Sequence, residues 1–275
     1  MNLHCGTFQF DLSRPLVMGI VNVTPDSFSD GGRYLQHDAA IAHARQLIAE
    51  GADIVDIGGE STRPGARAVS VQEELDRTLP VIENLCDAPI PISIDTFKPE
   101  VMKAAIDAGA RMVNDINALQ DAAAMDVLAS SDVAVCLMHK QGDPQTMQQH
   151  PHYQDVVAEV SEFLRARIAF AEAAGIRRER IVIDPGFGFG KSLAHNLSLL
   201  RDLDKLAGLG APVLAGLSRK SMLGTLTGRD ATQRQYGSVA AALIAVQRGE
   251  KIVRVHDVGA TVDALKIWIA VNSPS

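Results

Sequence analysis

Polar and charged side chains stand at the ends of short apolar runs throughout this chain of 275 residues. Runs rich in valine and isoleucine end at Asn22, Asp95, Asn114, Asp184, the Ser218-Arg219-Lys220 step, and Arg254 with His256. A charge at the end of a buried strand loses its hydration, and this is costly unless a partner replaces the water. A ligand is one such partner. The pattern therefore predicts a polar binding site built from the ends of several strands.

Apolar runs alternate with helical patterns along the whole chain. Strands are predicted at Leu16–Val21, Asp53–Ile57, Ile92–Ile94, Met112–Val113, Val133–Met138, Ile181–Ile183, Val213–Ala215 and Ile252–Val255. Helices are predicted at Ala39–Glu50, Val71–Leu85, Glu100–Ala108, Ala122–Ala129, Tyr153–Ala174, Ala194–Leu206, Gln233–Arg248 and Ala260–Ala270. Pro80 should kink or split the second helix.

Strict alternation of strand and helix requires a parallel sheet, and eight units match a closed barrel better than an open doubly wound sheet. The fold class predicted is α/β, a single-domain (β/α)8 TIM barrel over residues 1–275. An N-terminal β-hairpin at His4–Leu12 should close its bottom. The hydrophobic content of 47% is enough for a full core.

Residues on the fourth and neighbouring strands share faces in a way that favours ligand binding. Alternation places Ser93 with Asp95 and Met112 with Asn114. If these faces point into the barrel, Asp95 and Asn114 converge at its mouth and offer donors and acceptors to a flat, polar heterocycle. Asp115 has the equally open alternative of capping the next helix, whereas Asp95 has Thr96 beside it as a better cap.

Two loops at the same end have compositions that fit either function or simple connection. The segment 22–32 is long for a connector and is either a lid or an ordinary surface loop. The segment 58–67 brings Arg63 and Arg67 into a glycine-rich setting, which suits a phosphate or a solvated turn.

The segment 184–192 contains alternating glycine and phenylalanine. It is not a P-loop, because Pro185 stands where that motif requires glycine, and its glycine spacing does not fit a dinucleotide site. The alternating glycines instead predict a mobile backbone, and the phenylalanine rings between them could cover a planar ligand. Phe187 and Phe189 each have packing in the core as an equal alternative.

The remaining candidate site residues are basic side chains. Lys220 is predicted to reach inward, whereas Arg219 is better interpreted as a surface charge. Arg254 and His256 share one side of their strand, with valines on the other. A cation among aliphatic residues predicts a bound anion, with a buried ion pair to an acidic residue as the alternative.

Composition limits the classes of function. A net charge of −7 argues against a general nucleic-acid or anionic-membrane surface. No signal-peptide pattern and no long apolar run is present, so we expect a soluble, unprocessed protein without a membrane partner. The three cysteines are widely spaced and show no metal or disulfide pattern, which fits a reducing cytoplasm.

Five strings in this order resemble the dihydropteroate synthases, the folate-pathway enzymes inhibited by sulfonamides: MGIVNVTPDSFSDGG, DIGGESTRPGA, DPGFGFGKS, GLSRKS and IVRVHDV. The resemblance runs from Leu16 to about Val258. It implies a transferase that joins 7,8-dihydropterin-6-ylmethyl diphosphate to 4-aminobenzoate by an SN1-like substitution, giving 7,8-dihydropteroate and pyrophosphate. It also implies a homodimer formed through the last helices.

The resemblance further implies a role for each site residue. A pterin pocket would comprise Asp95, Asn114, Asp184 and Lys220, with Ile116 and Met138 as apolar walls. A diphosphate site would comprise Asn22, Arg63, Arg254 and His256, with Mg²⁺ held by Asn22 and phosphate oxygens. The aminobenzoate would contact Thr62, Arg63, Pro64, Phe189 and Ser221. Asp95, Lys220, Arg254 and His256 are the expected catalytic residues.

Two other functions compete with this one. A pterin-binding methyltransferase that serves a corrinoid protein would use a similar barrel but has no use for a diphosphate cluster. A pterin-binding regulatory paralogue would be expected to lose part of the lid or of the cationic set. The set Arg63, Arg254 and His256 favours the synthase over both.

Overall fold

The computed structural model describes residues 1–24, 33–61, 67–142 and 146–272, with residues 33–35 described by their backbone alone. Its strands are β1 (Asn2–Cys5), β2 (Phe8–Asp11), β3 (Leu16–Asn22), β4 (Ile54–Gly58), β5 (Ile92–Asp95), β6 (Met112–Asp115), β7 (Ala134–Met138), β8 (Ile181–Asp184), β9 (Leu214–Ala215) and β10 (Ile252–Val255). All eight barrel strands predicted from the sequence are present.

The helices follow the strands in the predicted order. They are α1 (Arg33–Ala49), α2 (Val71–Asn84), α3 (Pro99–Asp107), α4 (Ala122–Ala129), α5 (Val156–Ala173), α6 (Leu193–Arg201), α7 (Leu203–Ala207), α8 (Ser221–Thr227), α9 (Gln235–Gln247) and α10 (Val258–Asn272). The segment predicted as one helix at Ala194–Leu206 is two, because the backbone leaves helical geometry at Asp202. Side chains of Ser70, Asp121, Asp155 and Ser192 cap the helices that they precede.

The eight parallel strands close into a barrel. Their order is β8-β7-β6-β5-β4-β3-β10-β9, and a parallel bridge between Ile183 and Val213 joins the two ends of the sheet. The carboxyl ends of all eight strands consequently meet at one rim, here called the mouth. The predicted TIM barrel is confirmed.

Side chains alternate between the helices and the barrel interior, as period-two geometry requires. On β10, Val253 and Val255 pack with the helices, whereas Ile252 packs inside. The lower interior is apolar, with Met18, Ile54, Met112, Cys136, Val182 and Leu214 among its residues. Each fully buried aliphatic side chain contributes about 1.5–3 kcal/mol. The upper interior, toward the mouth, holds the polar residues.

The antiparallel pair β1 and β2 forms the predicted hairpin. Its residues Leu3 and Cys5, with Leu12 just beyond it, belong to the same apolar cluster as the lower interior of the barrel. The hairpin therefore closes the end of the barrel opposite the mouth.

Two findings concern the helices. Pro80 lies inside α2, which runs unbroken from Val71 to Asn84, so the predicted split is absent. Val81 and Ile82 next to it are fully buried, and this packing outweighs one missing hydrogen bond. Within the four described ranges, no helix combines the length and the apolar character that a membrane span needs.

Candidate active site

The register of the strands gathers the predicted polar residues at the mouth. Asn22, Gly58, Asp95 and Asn114 are successive neighbours across β3, β4, β5 and β6. Met138 on β7 is paired with Asp184 on β8. Side chains from strands far apart in sequence thus surround one opening, as the sequence predicts.

Arg254 crosses this opening and binds two carboxylates. Its Nε donates to Oδ2 of Asp56 at 2.6 Å, and its Nη2 donates to Oδ2 of Asp95 at 2.7 Å. The amide of Asn114 donates to the same Asp56 oxygen at 3.1 Å. The buried ion pair that was the alternative for Arg254 is therefore present. Within the described residues Nη1 has no acceptor, so that edge of the guanidinium remains suited to an anion.

Asp56 is a site residue that the sequence analysis missed. It is completely buried, and its Oδ1 has no hydrogen-bond partner among the described residues. A usable signal exists in the sequence, because Asp56 is the one acidic residue of the otherwise apolar β4 and stands two positions before Gly58. Period-two alternation then places it inside the barrel.

Burial and neighbouring charges shift the pKa values of this group in opposite directions. Burial raises the pKa of Asp95 to about 7, Arg254 opposes the rise, and Asp56 adds to it. Burial alone would lower the pKa of Arg254, but Asp56 and Asp95 outweigh it and raise that pKa. Arg254 is therefore charged at every working pH, and its charge favours the ionised form of Asp95 against the effect of burial.

Asp184 and Lys220 form the second charged group at the mouth. Burial raises the pKa of Asp184, and Lys220 is the first of the charges that lower it again. Burial lowers the pKa of Lys220 to about 8, although Asp184 opposes this. Lys220 Nζ donates to the backbone oxygen of Phe187 and lies 4.7 Å from the centre of the Phe189 ring. Arg254 also lowers the pKa of Asp184, which places Asp184 and Arg254 in one electrostatic field.

The loop between β8 and α6, residues 185–192, is held by hydrogen bonds, in contrast to the mobile backbone predicted. Gly188 N donates to the Asn196 side chain at 2.8 Å, and the Tyr153 hydroxyl donates to the Gly190 oxygen at 3.0 Å. Gly186 has a φ of 67°, and a Cβ there would lie 1.9 Å from the His139 oxygen. Only glycine permits this turn and this close approach.

The two phenylalanines of this loop have different environments. Phe187 is fully buried in the core, so its side chain does not face the mouth as a ligand contact. Phe189 is half-buried with its ring beside Lys220. The sequence left core packing and ligand contact open for both residues. Phe187 packs in the core, whereas the Phe189 ring lies beside Lys220 at the mouth.

Two sets of polar contacts join the loop after β9 to the loop after β10. Ser218 Oγ lies 2.9 Å from His256 Nδ1 and also accepts from the His256 backbone N–H at 3.2 Å. Arg219 binds Asp257 through Nε and Nη2, at 3.1 and 2.6 Å. The surface interpretation of Arg219 was incomplete, because its charge is paired and half-buried. The next residue, Lys220, interacts electrostatically with Asp184. The exposed Ser221 begins α8.

The turn after β6 contains backbone strain that the sequence did not reveal. Ala118 and Leu119 have φ values of 52° and 53°, which cost non-glycine residues about 1–3 kcal/mol each. The Asp115 carboxylate accepts from Asn117 N and Leu119 N at 2.7 Å, and Arg167 donates to both strained carbonyls. Asp115 thus stabilises a turn, and Ile116 lies buried at its start.

Asn22, the predicted magnesium ligand, ends β3 beside Gly58. A side chain at Gly58 would come within 3.8 Å of both the Asn22 amide oxygen and a carboxylate oxygen of Asp95, so these groups flank bare backbone. No cluster of three or more His, Cys, Asp or Glu side chains suited to a metal occurs in the described ranges. Mg²⁺ commonly takes one or two protein oxygens together with waters and substrate phosphates. A single amide oxygen, such as that of Asn22, is compatible with this mode of Mg²⁺ binding.

Several predicted site residues lie outside the described residues, namely Thr62, Arg63 and Pro64, together with most of the first loop. The ends of the second loop are described and are held in place. Lys98 Nζ binds Glu60 and Glu74, at 2.5 Å each, and the backbone oxygen of Val69 at 2.7 Å. Glu60 and Val69 stand on either side of the undescribed positions.

The mouth therefore combines carboxylates, amides and cations within one opening. Such a set can accept N–H donors from a heterocycle with Asp184 and Asn114, and can stabilise negative charge with Lys220 and Arg254. His256 adds an imidazole whose Nδ1 contacts Ser218.

Comparisons with known proteins agree with this chemistry. The sequence model of a family described as "pterin binding enzyme" matches residues 18–256. The dihydropteroate synthase of Neisseria meningitidis serogroup C is 55% identical over 272 residues, covering 97% of this chain and 96% of that protein. The Xanthomonas albilineans dihydropteroate synthase solved with 4-aminobenzoic acid has a TM-score of 0.94 and 58% identity, covering 100% of this chain and 99% of that one.

A second structure of the Xanthomonas albilineans enzyme, in complex with 7,8-dihydropteroate, has a TM-score of 0.91 and 54% identity, with 100% of both chains covered. The five motifs, the barrel and these similarities all agree. The chain belongs to the dihydropteroate synthase family of pterin-binding enzymes.

Proposed function

We propose that this protein condenses 7,8-dihydropterin-6-ylmethyl diphosphate with 4-aminobenzoate to give 7,8-dihydropteroate and pyrophosphate, by a dissociative, SN1-like substitution. The observation that carries the proposal is the convergence of Asp95 and Asp184 with Lys220 and Arg254 at one mouth. Relatives solved with 4-aminobenzoic acid and with 7,8-dihydropteroate support the choice of substrates.

Recognition of the pterin is assigned to the acidic side of the mouth. The aminopyrimidinone edge of a pterin presents adjacent N–H donors, and the Asp184 carboxylate accepts two of them in a bidentate pair. Asn114 supplies an amide from β6, and Lys220 donates to a ring acceptor. The buried Met138 and Ile116 form apolar walls. A ligand without this pattern of donors would leave a buried carboxylate unpaired, so non-pterins are rejected.

The bond that breaks joins the pterin methylene carbon to the diphosphate oxygen. Its electron pair leaves with the diphosphate, and positive charge develops on the pterin. Arg254 and His256, with Arg63, are proposed to stabilise the departing negative charge, while Asp95 stabilises the cation. Because the ion pairs with Asp56 and Asp95 orient Arg254, this stabilisation requires little reorganisation.

The bond that forms joins the same methylene carbon to the aminobenzoate nitrogen, which then releases one proton to water. Phe189 and Ser221, with Thr62, Arg63 and Pro64, are proposed to hold the aminobenzoate. An aromatic amine is a weak nucleophile, so the reaction depends on the electrophile and on the exclusion of competing water. No covalent bond to the enzyme is required, and a pterin adduct found by mass spectrometry would contradict this mechanism.

We assign Mg²⁺ as the metal, held by the Asn22 amide oxygen and by diphosphate oxygens. When bound, the ion would neutralise charge on the leaving group. Asn22 lies at the end of β3 beside Asp95, which supports this assignment.

We also propose a homodimer and a cytoplasmic location. The helices α8, α9 and α10 expose large apolar side chains at Leu226, Tyr236, Ile244, Ile267 and Val271, and this set is here called the apolar helix face. A second copy of the chain would cover it. All three cysteines are unpaired, which suits a reducing compartment.

The test is an assay of the purified protein with the pterin diphosphate, 4-aminobenzoate and Mg²⁺, following both pyrophosphate and dihydropteroate. Stoichiometric formation of both products is expected. Methyl transfer from methyltetrahydrofolate to a corrinoid protein, without pyrophosphate release, would instead identify the methyltransferase. Tight binding of the pterin diphosphate without turnover would identify a regulatory paralogue.

A further inference from the structure

We propose that Lys191 is a positioning residue, a buried cation that fixes the loop 185–192 and through it the orientation of Lys220 and Asp184. This inference rests on the proposed function and extends it to a residue behind the pterin pocket. Lys191 lies at the end of the loop, directly before the Ser192 cap of α6, and only 3% of it is exposed.

The ammonium of Lys191 is bound by acceptors instead of by a carboxylate. Its Nζ lies 3.0 Å from Gly186 O, from Phe189 O and from His139 Nδ1, and 3.4 Å from His139 O. An ammonium has three donors, and the three closer contacts use them all. Among the described residues, none of the ion pairs includes Lys191. Burial lowers the pKa of Lys191 to about 7, and the charge of Asp184 opposes this change. The charged form of Lys191 therefore depends on Asp184 and on these fixed acceptors.

His139 is suited to be the third acceptor. Burial, with the charge of Lys191 as the next cause, lowers the pKa of His139 to about 3. The imidazole is therefore neutral and can offer the lone pair of Nδ1 to the ammonium. Its ring packs edge to face against Phe163, with 5.0 Å between the ring centres.

The two carbonyls that Lys191 binds belong to Gly186 and Phe189, which enclose the segment that contacts Lys220. Between Gly186 and Phe189 stands Phe187, whose oxygen accepts from Lys220, and the Phe189 ring itself lies beside Lys220. Gly186 N also donates to Asp184 Oδ1 at 2.6 Å. Lys191 therefore acts on both charged residues of the proposed pterin pocket without reaching the pocket.

Charge supports the same conclusion. Lys191 is among the cations that lower the pKa of Asp184, which burial raises. A neutral residue at position 191 would leave Asp184 more readily protonated and less able to accept two N–H donors. Geometry and electrostatics thus predict the same effect, a weaker affinity for the pterin.

The chain offers a matched control in Arg180, at the other end of β8. Arg180 is also a buried cation, 4% exposed, and donates to the Val133 and Leu128 oxygens at 2.8 Å each. It lies at the closed end of the barrel, away from Asp184 and Lys220. Its substitution removes the same kind of contact without touching the mouth.

The experiment measures equilibrium binding of the dihydropterin diphosphate, with Mg²⁺ and without aminobenzoate, at a temperature where circular dichroism shows each variant fully folded. Lys191→Met should weaken binding at least tenfold and lower kcat. Arg180→Met should bind within twofold of the unmodified protein. A purely structural role for Lys191 would not change affinity in a fully folded variant.

Equal binding by Lys191→Met and the unmodified protein would overturn the inference, as would an equal loss in Arg180→Met. If Lys191→Met does not fold, the milder Lys191→Gln carries the test, with a loss of at least threefold expected and binding within twofold of the unmodified protein overturning the inference. Failure of the unmodified protein to bind the pterin diphosphate would instead refute the proposed function.

Discussion

Arg254 Nε lies 2.6 Å from Oδ2 of Asp56, a carboxylate with no solvent exposure beneath the mouth of the barrel. Asp95 holds the same guanidinium from the rim through Nη2 at 2.7 Å. Two carboxylates at different depths therefore fix both the position and the plane of the guanidinium. A guanidinium held by two carboxylates can stabilise a leaving group with little rearrangement of its own.

Substitution of Asp56 should affect both stability and catalysis. Asp56→Asn keeps the shape but removes the charge, leaving Arg254 partly uncompensated, so we expect a loss of about 3 kcal/mol in the free energy of unfolding. We also expect kcat/KM to fall about 100-fold. Urea unfolding and steady-state kinetics measure the two effects.

The control for this change is Asp107→Asn, which removes an exposed partner of Lys103 on α3. Such surface pairs contribute about 0–1 kcal/mol, so this variant should be nearly neutral. A similar small loss for Asp56→Asn would mean that Asp95 alone orients Arg254.

Activity should fall on the alkaline side as Lys220 loses its proton. Burial lowers the pKa of Lys220 to about 8, so the ammonium is present at neutral pH and is lost as the pH rises through that value. The folded-state pKa lies below the unfolded one, and deprotonation therefore relieves a cost instead of unfolding the protein. The kcat/KM measured for the dihydropterin diphosphate should decline above pH 8. The circular dichroism spectrum should stay constant over the same range, which shows that the protein remains folded. Lys220→Met should be weakly active without this decline.

Arg254 and His256 should act electrostatically on the same leaving group. We expect Arg254→Ala and His256→Ala to lower kcat by similar factors, on the order of 100-fold. The loss in His256→Ala should not change with pH, whereas the loss in Arg254→Ala should grow at lower pH, because Arg254 lowers the pKa values of Asp95 and Asp184. Rate measurements across the pH range in which both variants are folded provide the test. Disappearance of a pH dependence in His256→Ala alone would assign proton transfer to that imidazole.

Removal of divalent metal should abolish turnover reversibly. Chelation is expected to stop pyrophosphate release, and added Mg²⁺ to restore it, because the assigned ion neutralises diphosphate charge. Asn22→Ala should raise the Mg²⁺ concentration needed for half-maximal activity about tenfold. An unchanged Mg²⁺ requirement in Asn22→Ala would remove Asn22 from the metal site.

The apolar helix face should hold two copies of the chain together. Tyr236 is 86% exposed on α9, and Tyr236→Glu would place a charge in the proposed interface. Sedimentation velocity should show a dimer for the unmodified protein and a shift to monomer for this variant. Phe170→Glu, on the exposed side of α5, is the control and should stay dimeric. A monomeric unmodified protein would refute the proposal.

The order of strands and helices could be predicted from the sequence because buried parallel strands and amphipathic helices have different periods. Residues at the ends of strands, such as Asp95 and Asn114, were found for the same reason. Asp56 was missed because it lies within a strand, where one acidic residue does not interrupt an apolar run. The split predicted at Pro80 is absent, because the packing of Val81 and Ile82 outweighs the low helix propensity of proline.

Contacts between residues of different loops could not be predicted from the sequence. The segment 185–192 has glycines that predict a mobile backbone, yet hydrogen bonds from Lys191 within it, and with Asn196 and Tyr153 outside it, restrain that backbone. The strained backbone of Ala118 likewise depends on Arg167, which is 49 residues further along the chain. Such features follow from tertiary structure, and no local pattern contains them.

The hairpin β1–β2 also has a practical consequence for work with this protein. Because it lies at the closed end of the barrel, a tag or surface anchor joined to the exposed Met1 would point away from the mouth. Molecules immobilised through that end would present their openings to the flowing solution, so sensor-chip measurements of ligand capture can be made on the intact chain.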